Sequence, residues 1–215
     1  MLIHMPSRDR RRSYDQYCGI ARALDAVGDR WSLLIVRELL AGPRRYTDLH
    51  TELPGVSTDM LAARLKDLER ESVVERRKLP PPANASVYDL TERGRELLPV
   101  LDALATWGAP ALAEQRPTDA VRAHWLAFPL REQLRAALAG ADGPDGSVTV
   151  NVEFPHLQGA FHIRLGEAGP PYGDGLVADP DAVLHVDEDA GGLIASGKLT
   201  ADILEPRKSP AREVS

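Results

Sequence analysis

Apolar residues recur at helical spacing through the first half of the chain. In Cys18–Val27 (CGIARALDAV) they are Ile20, Ala23, Leu24 and Val27. Gly28-Asp29 interrupts this run and can cap a second helix, Arg30–Leu40, whose stripe is Trp31, Leu34, Ile35 and Leu39. Gly42-Pro43 ends it. A short third helix over Tyr46–Glu52 offers Tyr46 and Leu49 to the core, and Pro54-Gly55 turns the chain into a fourth, STDMLAARLKDLERE (57–71), with Ser57 as its cap. Beyond it the period changes to that of strands. VERRKL (74–79) and SVYDL (86–90) predict a hairpin with a stiff PPPANA tip. Thr91 then caps ERGRELLPVLDALATWG, a helix with Leu97, Leu101 and Leu104 on one face and a bend expected at Pro99.

The second half has a different rhythm. Gln115–Thr118 (QRPT) predicts a linker, and 119–139 a helix interrupted at Pro129. SVTVNVEF (147–154) alternates strictly, with Val148, Val150, Val152 and Phe154 on one face. AFHIRL (160–165) repeats the pattern through Phe161, Ile163 and Leu165, and AVLHVD (182–187) adds a third strand. The expected class is α+β: a winged helix-turn-helix unit over 1–114, a small α+β unit with an antiparallel sheet over 115–205, and a disordered polar tail over 206–215.

Composition narrows the classes. No run nears the ~18–20 apolar residues that span a bilayer, and the amino terminus lacks the apolar stretch of a signal peptide. One cysteine in 215 residues excludes an internal disulfide framework and fits a reducing cytoplasm. Charge divides unevenly: 17 Lys/Arg stand against 14 Asp/Glu up to residue 95, and 9 against 18 beyond it. A mildly basic half joined to an acidic one suits a nucleic-acid module attached to a unit that does not touch nucleic acid.

On a wheel of about 100° per residue, Leu61, Leu65 and Leu68 of the fourth helix share a stripe, and Asp59, Ala63, Lys66 and Arg70 lie opposite. Small residues near its start and long donors beyond them suit a major groove: Ser57, Thr58, Ala63, Arg64 and Lys66 are the expected groove residues. Asp59, Asp67, Glu69 and Glu71 are repelled by phosphate and are expected to contribute nothing. Alone, such a helix reads as an ordinary surface helix. Its flanks change that reading. Arg44-Arg45 precede the third helix, Arg76-Arg77-Lys78 lie on the first hairpin strand, and Arg8, Arg10, Arg11 and Arg12 form a basic arm. These cations are expected on phosphates or in an adjacent minor groove.

Cys18 followed by ARALDAVGDRWSLLIVRELLAGPRRYTDL (21–49), then STDMLAARLKDLERESVVERR (57–77) and YDLTERGRELLPVLDALATWG (88–108), resembles the HxlR family of bacterial regulators, winged-helix relatives of the MarR group. The motifs occur in order over about half the chain, with Gly19 where the family carries proline. The resemblance implies a homodimer binding a near-palindromic double-stranded operator, with terminal helices and Trp107 near the dimer contact. The second half, ending in SGKLTADILEP, resembles more weakly a sterol carrier protein type 2-like domain. That resemblance implies an apolar small-molecule effector.

The remaining chemistry is sparse. Cys18, at a helix start one turn from Arg22, is either a redox-sensing thiol or a small packing residue. The six histidines show no ligand spacing, so no metal or other cofactor is expected, and no acid/base pair or phosphate-cradling loop suggests an enzyme. Trp125, Phe128, Val150, Val152, Phe154, Phe161 and Ile163 are core residues or the lining of an apolar pocket. The resulting expectation is a cytoplasmic, dimeric, sequence-specific DNA-binding repressor released by an apolar effector. A Cys18-based redox or electrophile sensor, and an apolar-ligand carrier or enzyme with a vestigial DNA-binding unit, are the alternatives.

Overall fold

The computed structural model describes residues 13–138, 147–155, 159–166 and 169–186, together with 192, 194, 196, 197, 199 and 204–206. The basic arm and residues 207–215 lie outside them. The N-terminal part runs α1 (Gly19–Val27), α2 (Ser32–Leu40), α3 (Tyr46–Glu52), α4 (Thr58–Arg70), β1 (Val74–Lys78), β2 (Ser86–Leu90), α5 (Glu92–Arg95) and α6 (Leu98–Gly108). Its centre is Ile35 and Leu39 of α2, Leu49 of α3 and Leu61, Leu65 and Leu68 of α4, all at most 2% exposed. Full burial of each such side chain is worth roughly 1.5–3 kcal/mol, which fixes α4 with one face inward and the other free.

Both ends of α4 are closed by local chemistry. Ser57 Oγ accepts the Met60 N–H at 3.3 Å. At the far end Ser72 adopts a positive φ of 57°. The Ser72 N–H then reaches Glu69 O and the Val73 N–H reaches Leu68 O. This paired closure satisfies carbonyls that would otherwise be orphaned and aims the chain into β1. β1 and β2 pair antiparallel in the register Val74↔Leu90 to Lys78↔Ser86. Arg44 adds a further bridge: its backbone exchanges hydrogen bonds with Tyr88 at 3.0 and 2.8 Å. Thr91 then ties α5 to the hairpin base, donating to Ser72 O and accepting from the Gly94 N–H. Gly94 is required there, because a Cβ would stand 2.1 Å from Val73 O.

The helix expected to bend at Pro99 is instead two helices. α5 stops at Arg95, and Pro99 falls in the first turn of α6, where its missing N–H costs nothing. The same holds for Pro129. The break precedes it: a 3-10 turn at Ala123–Leu126 gives way to α7 (Ala127–Ala137), with Pro129 in its first turn. Residues 114–122 form no regular element.

The C-terminal part is a five-stranded sheet of β3 (Val148–Phe154), β4 (Gly159–Leu165), β5 (Tyr172–Asp174), β6 (Ala182–His185) and β7 (Leu204–Pro206), in the order β5-β4-β3-β6-β7. It is not purely antiparallel as expected, because β3 and β6 pair parallel. β5 and β7 are additions to the three predicted strands, and Pro206, placed by the sequence in the tail, ends β7. One sheet face, carrying Val150, Val152, Phe154, Phe161, Ile163 and Leu184, is buried with Phe128, Leu130 and Leu134 of α7. Their apolar cluster is continuous with that of the N-terminal part, and no helix among the described residues is long and apolar enough to cross a membrane.

Candidate nucleic-acid interface

The outward face of α4 carries Thr58, Asp59, Met60, Ala62, Ala63 and Lys66, all exposed. Tyr46 of α3 steadies its first turn, donating its hydroxyl to Thr58 O at 2.8 Å. Beside it lie Arg45, exposed just before α3, and the exposed Arg76 and Lys78 of β1. The Arg76 guanidinium sits 6.0 Å from the Tyr88 ring centroid. Burial, the largest influence, pushes the Tyr88 phenol pKa up against the opposing charge of Arg76.

Of the other cations expected on DNA, the arm arginines lie outside the described residues, and Arg44, Arg64 and Arg77 are engaged within the chain. Arg64, only 20% exposed, pairs with Asp29 and, at 3.1 Å, with Asp67, fastening α4 to the α1–α2 turn. Arg77 clamps Asp89 at 2.9–3.0 Å, and Arg95 takes the other oxygen of that carboxylate. Arg44 turns furthest from the expected position. Its side chain, 12% exposed, grips both oxygens of Asp174 in β5 at 3.0 Å and donates to Glu38 O. Burial opposes its charge, yet Asp174 outweighs that and holds its pKa above the ordinary arginine value.

Arg44 belongs to a polar seam between the two parts that sequence reasoning did not find. At its centre is Glu38 of α2, 0% exposed. One oxygen accepts Trp125 Nε1 and Arg37 Nε, each at 2.9 Å, and the other lies 2.9 Å from His124 Nε2. Burial alone would raise its carboxyl pKa, but the His124 hydrogen bond and the Arg37 charge prevail and hold it below the ordinary value of 4.5. Tyr172 of β5 donates its hydroxyl to Arg37 O at 2.6 Å, and its own burial drives its pKa strongly upward. Arg122 reaches Glu52 of α3 at 3.1 Å, and Arg131 of α7 pairs with Asp102 of α6. The available signal was a glutamate set among leucines and valine in SLLIVRELL.

Glu38, Glu52 and His124 bring ligand-type atoms within 4.8 Å of one another. The guanidiniums of Arg37 and Arg122 already neutralise the two carboxylates, so this cluster is assigned to the seam rather than to a cation. Of the possible pocket residues, Phe128, Val150, Val152, Phe154, Phe161 and Ile163 lie in the core, with the Phe154 and Phe161 rings stacked at 5.8 Å. Trp125 stands apart from them, its ring 4.4 Å from the Arg37 guanidinium. Cys18 is exposed at the N-cap of α1, and Arg22, one turn on, lies 3.9 Å from Asp25.

Three helices, a fourth with an exposed polar stripe and a two-stranded hairpin after it follow the plan of a winged helix-turn-helix DNA-binding protein. Comparison with known proteins agrees. The HxlR-like helix-turn-helix family matches residues 26–116. The HTH-type transcriptional regulator sll1512 of Synechocystis is 39% identical over 98 residues, covering 46% of this chain and 73% of that protein. YodB, an HTH-type transcriptional regulator of Bacillus subtilis, is 39% identical over 85 residues, covering 40% and 76%. The solved reduced form of YodB is 36% identical and covers 43% of this chain and 92% of that one, with a TM-score of 0.39. The chain belongs to the HxlR-like helix-turn-helix family of transcriptional regulators.

Proposed function

We propose that the protein is a dimeric, sequence-specific repressor in which residues 1–114 bind DNA and residues 115–205 support or regulate that unit. The observation that carries this reading is the exposed outward face of α4 between Thr58 and Lys66, with the exposed cations Arg45, Arg76 and Lys78 on the elements before and after it. Ser57, Thr58, Ala63 and Lys66 address the groove, and Arg45, Arg76 and Lys78 address phosphates. Arg44, Arg64 and Arg77 act one step back by holding α4 and the hairpin in place. Dimerisation is supported by exposed apolar residues outside the DNA face: Tyr17, Ile20 and Leu24 near the N terminus, and Leu104 and Trp107 on α6. The weaker likeness of the C-terminal part to sterol carrier domains supports an apolar effector there. Selection of genomic fragments by the purified protein, repeated with fatty acids and sterols, tests both halves. A chain that enriches no fragment at moderate salt defeats the DNA-binding reading, and unchanged affinity with every apolar compound defeats the effector.

A second reading is favoured by the exposure of Cys18: oxidation bridges two Cys18 thiols across a dimer, or one to a small thiol, and alters DNA affinity. Mild oxidation of the wild type and of Cys18→Ser, followed by non-reducing gels and DNA titration, tests it. Equal behaviour of the two proteins ends this reading.

A further inference from the structure

The first turn of α4 holds a group that a DNA-binding face does not need for affinity. Asp59 is exposed on the outermost stripe of the helix, with Ala63 one turn on and Lys66 beyond, opposite Leu61, Leu65 and Leu68. Among the other acidic groups of this helix and its C-cap, Glu69 has no ion pair with a described residue but lies in the last turn, while Asp67 and Glu71 have cations beside them. Asp67 takes Arg64 and Arg70, and Glu71 lies 3.8 Å from Arg70 Nε. Asp59 has no ion pair with any described residue. Phosphate repels a free carboxylate, so it weakens general attraction to DNA.

We propose that Asp59 is a specificity-determining residue: its carboxylate accepts the N4 amino group of a cytosine in the major groove. This rests on α4 being the recognition helix. The N-terminal residues of such a helix are those that meet base edges, and Asp59 is its second residue, two positions after the Ser57 cap. An ionised carboxylate only accepts hydrogen bonds. Guanine presents two acceptors in the major groove and thymine an acceptor with a methyl group, so both reject it. Adenine offers its N6 amino group beside the N7 acceptor, an arrangement matched by a carboxamide and not by a carboxylate. Cytosine offers a donor without an acceptor of its own beside it. The side chain is short, so the helix backbone must come close, and the methyl of Ala63 on the same stripe leaves room for that. Specificity is gained against a background affinity that the carboxylate lowers.

The test is selection from a randomised duplex library with the full chain, its Asp59→Asn variant and its Asp59→Ala variant, each shown by thermal melting to be folded. The wild type is expected to enrich cytosine at one position of each half-site. Replacing that base should weaken binding on the order of 10- to 100-fold. Asp59→Asn should convert the same position to adenine, because a carboxamide pairs with N6 and N7. Asp59→Ala should lose preference there while binding unrelated DNA more tightly. If both variants keep the wild-type base at every position, Asp59 reads nothing and the proposal is overturned. If the wild type enriches no sequence, the proposal falls together with the DNA-binding reading, so the two failures are distinguishable.

Discussion

The face of α4 and the seam behind α2 are both rich in basic residues, and they use them in opposite ways. At the seam, Arg37, Arg44, Arg122 and Arg131 each hold a carboxylate, and Glu38 is fully buried among its partners. On the proposed DNA face, Arg45, Lys66, Arg76 and Lys78 are exposed and form no ion pair with a described residue. Charge count therefore does not locate a nucleic-acid surface. The proposed surface is identified by unpaired cations together with the exposed helix face beside them, since Arg30 and Arg93 are also exposed and unpaired among the described residues. A buried pair is costly to break from one side, whereas a solvated cation is removed with little effect on folding.

Four measurements would break or sharpen that contrast, from the largest expected effect to the smallest. Glu38→Gln leaves Arg37 facing a neutral amide and disturbs the His124 and Trp125 contacts. It should cost about 3–5 kcal/mol of stability, seen as a lowered urea midpoint. A loss below ~1 kcal/mol would mean the seam is not a closed ion-pair site. Lowering the pH should erase part of the difference between wild type and this variant. The Glu38 pKa is depressed on folding, so its contribution is complete above its ordinary value of 4.5. That contribution is lost as pH falls through the lower folded value. Urea titrations of both proteins between pH 7 and pH 3 would show a gap that stays constant above 4.5 and closes below it.

Tyr172→Phe removes one buried hydroxyl from Arg37 O and should cost about 1–2 kcal/mol in the same assay. Arg76→Ala, on the other face, should leave the urea midpoint within about 0.5 kcal/mol. It should also lower the slope of log affinity against log salt by roughly one phosphate contact. An unchanged salt slope would remove Arg76 from the DNA face.

The regions also differ in how far their sequence reveals them. α4 and its cap were legible because Leu61, Leu65 and Leu68 recur at helical spacing and Ser57 precedes them within one turn. The hairpin followed from alternation and from the proline-rich tip. The seam was illegible because its partners lie far apart in sequence: Glu38 meets His124 across 86 positions, and Tyr172 meets Arg37 across 135. No periodicity encodes such a pairing. β5 escaped because a three-residue strand within PPYGD has too few positions to show alternation. Pro99 reads as a bend and Pro129 as an interruption because a proline that opens a helix and one that breaks it look alike until the break is placed. The wheel places Asp59 on the outward face, but charge alone argues against a role on DNA.

Arg44 has a consequence for any attempt to cut the protein in two. Its backbone is a rung beside the hairpin, while its guanidinium is bolted to a strand 130 positions downstream. Truncation at residue 114 would leave the rung and remove the bolt. The fragment would carry one more unneutralised cation near its wing than the intact chain. It would therefore respond more steeply to salt, and its general attraction to DNA would overstate that of the whole molecule. A steeper salt slope for the fragment than for the whole chain would show that the distal half tempers the charge of the proximal one.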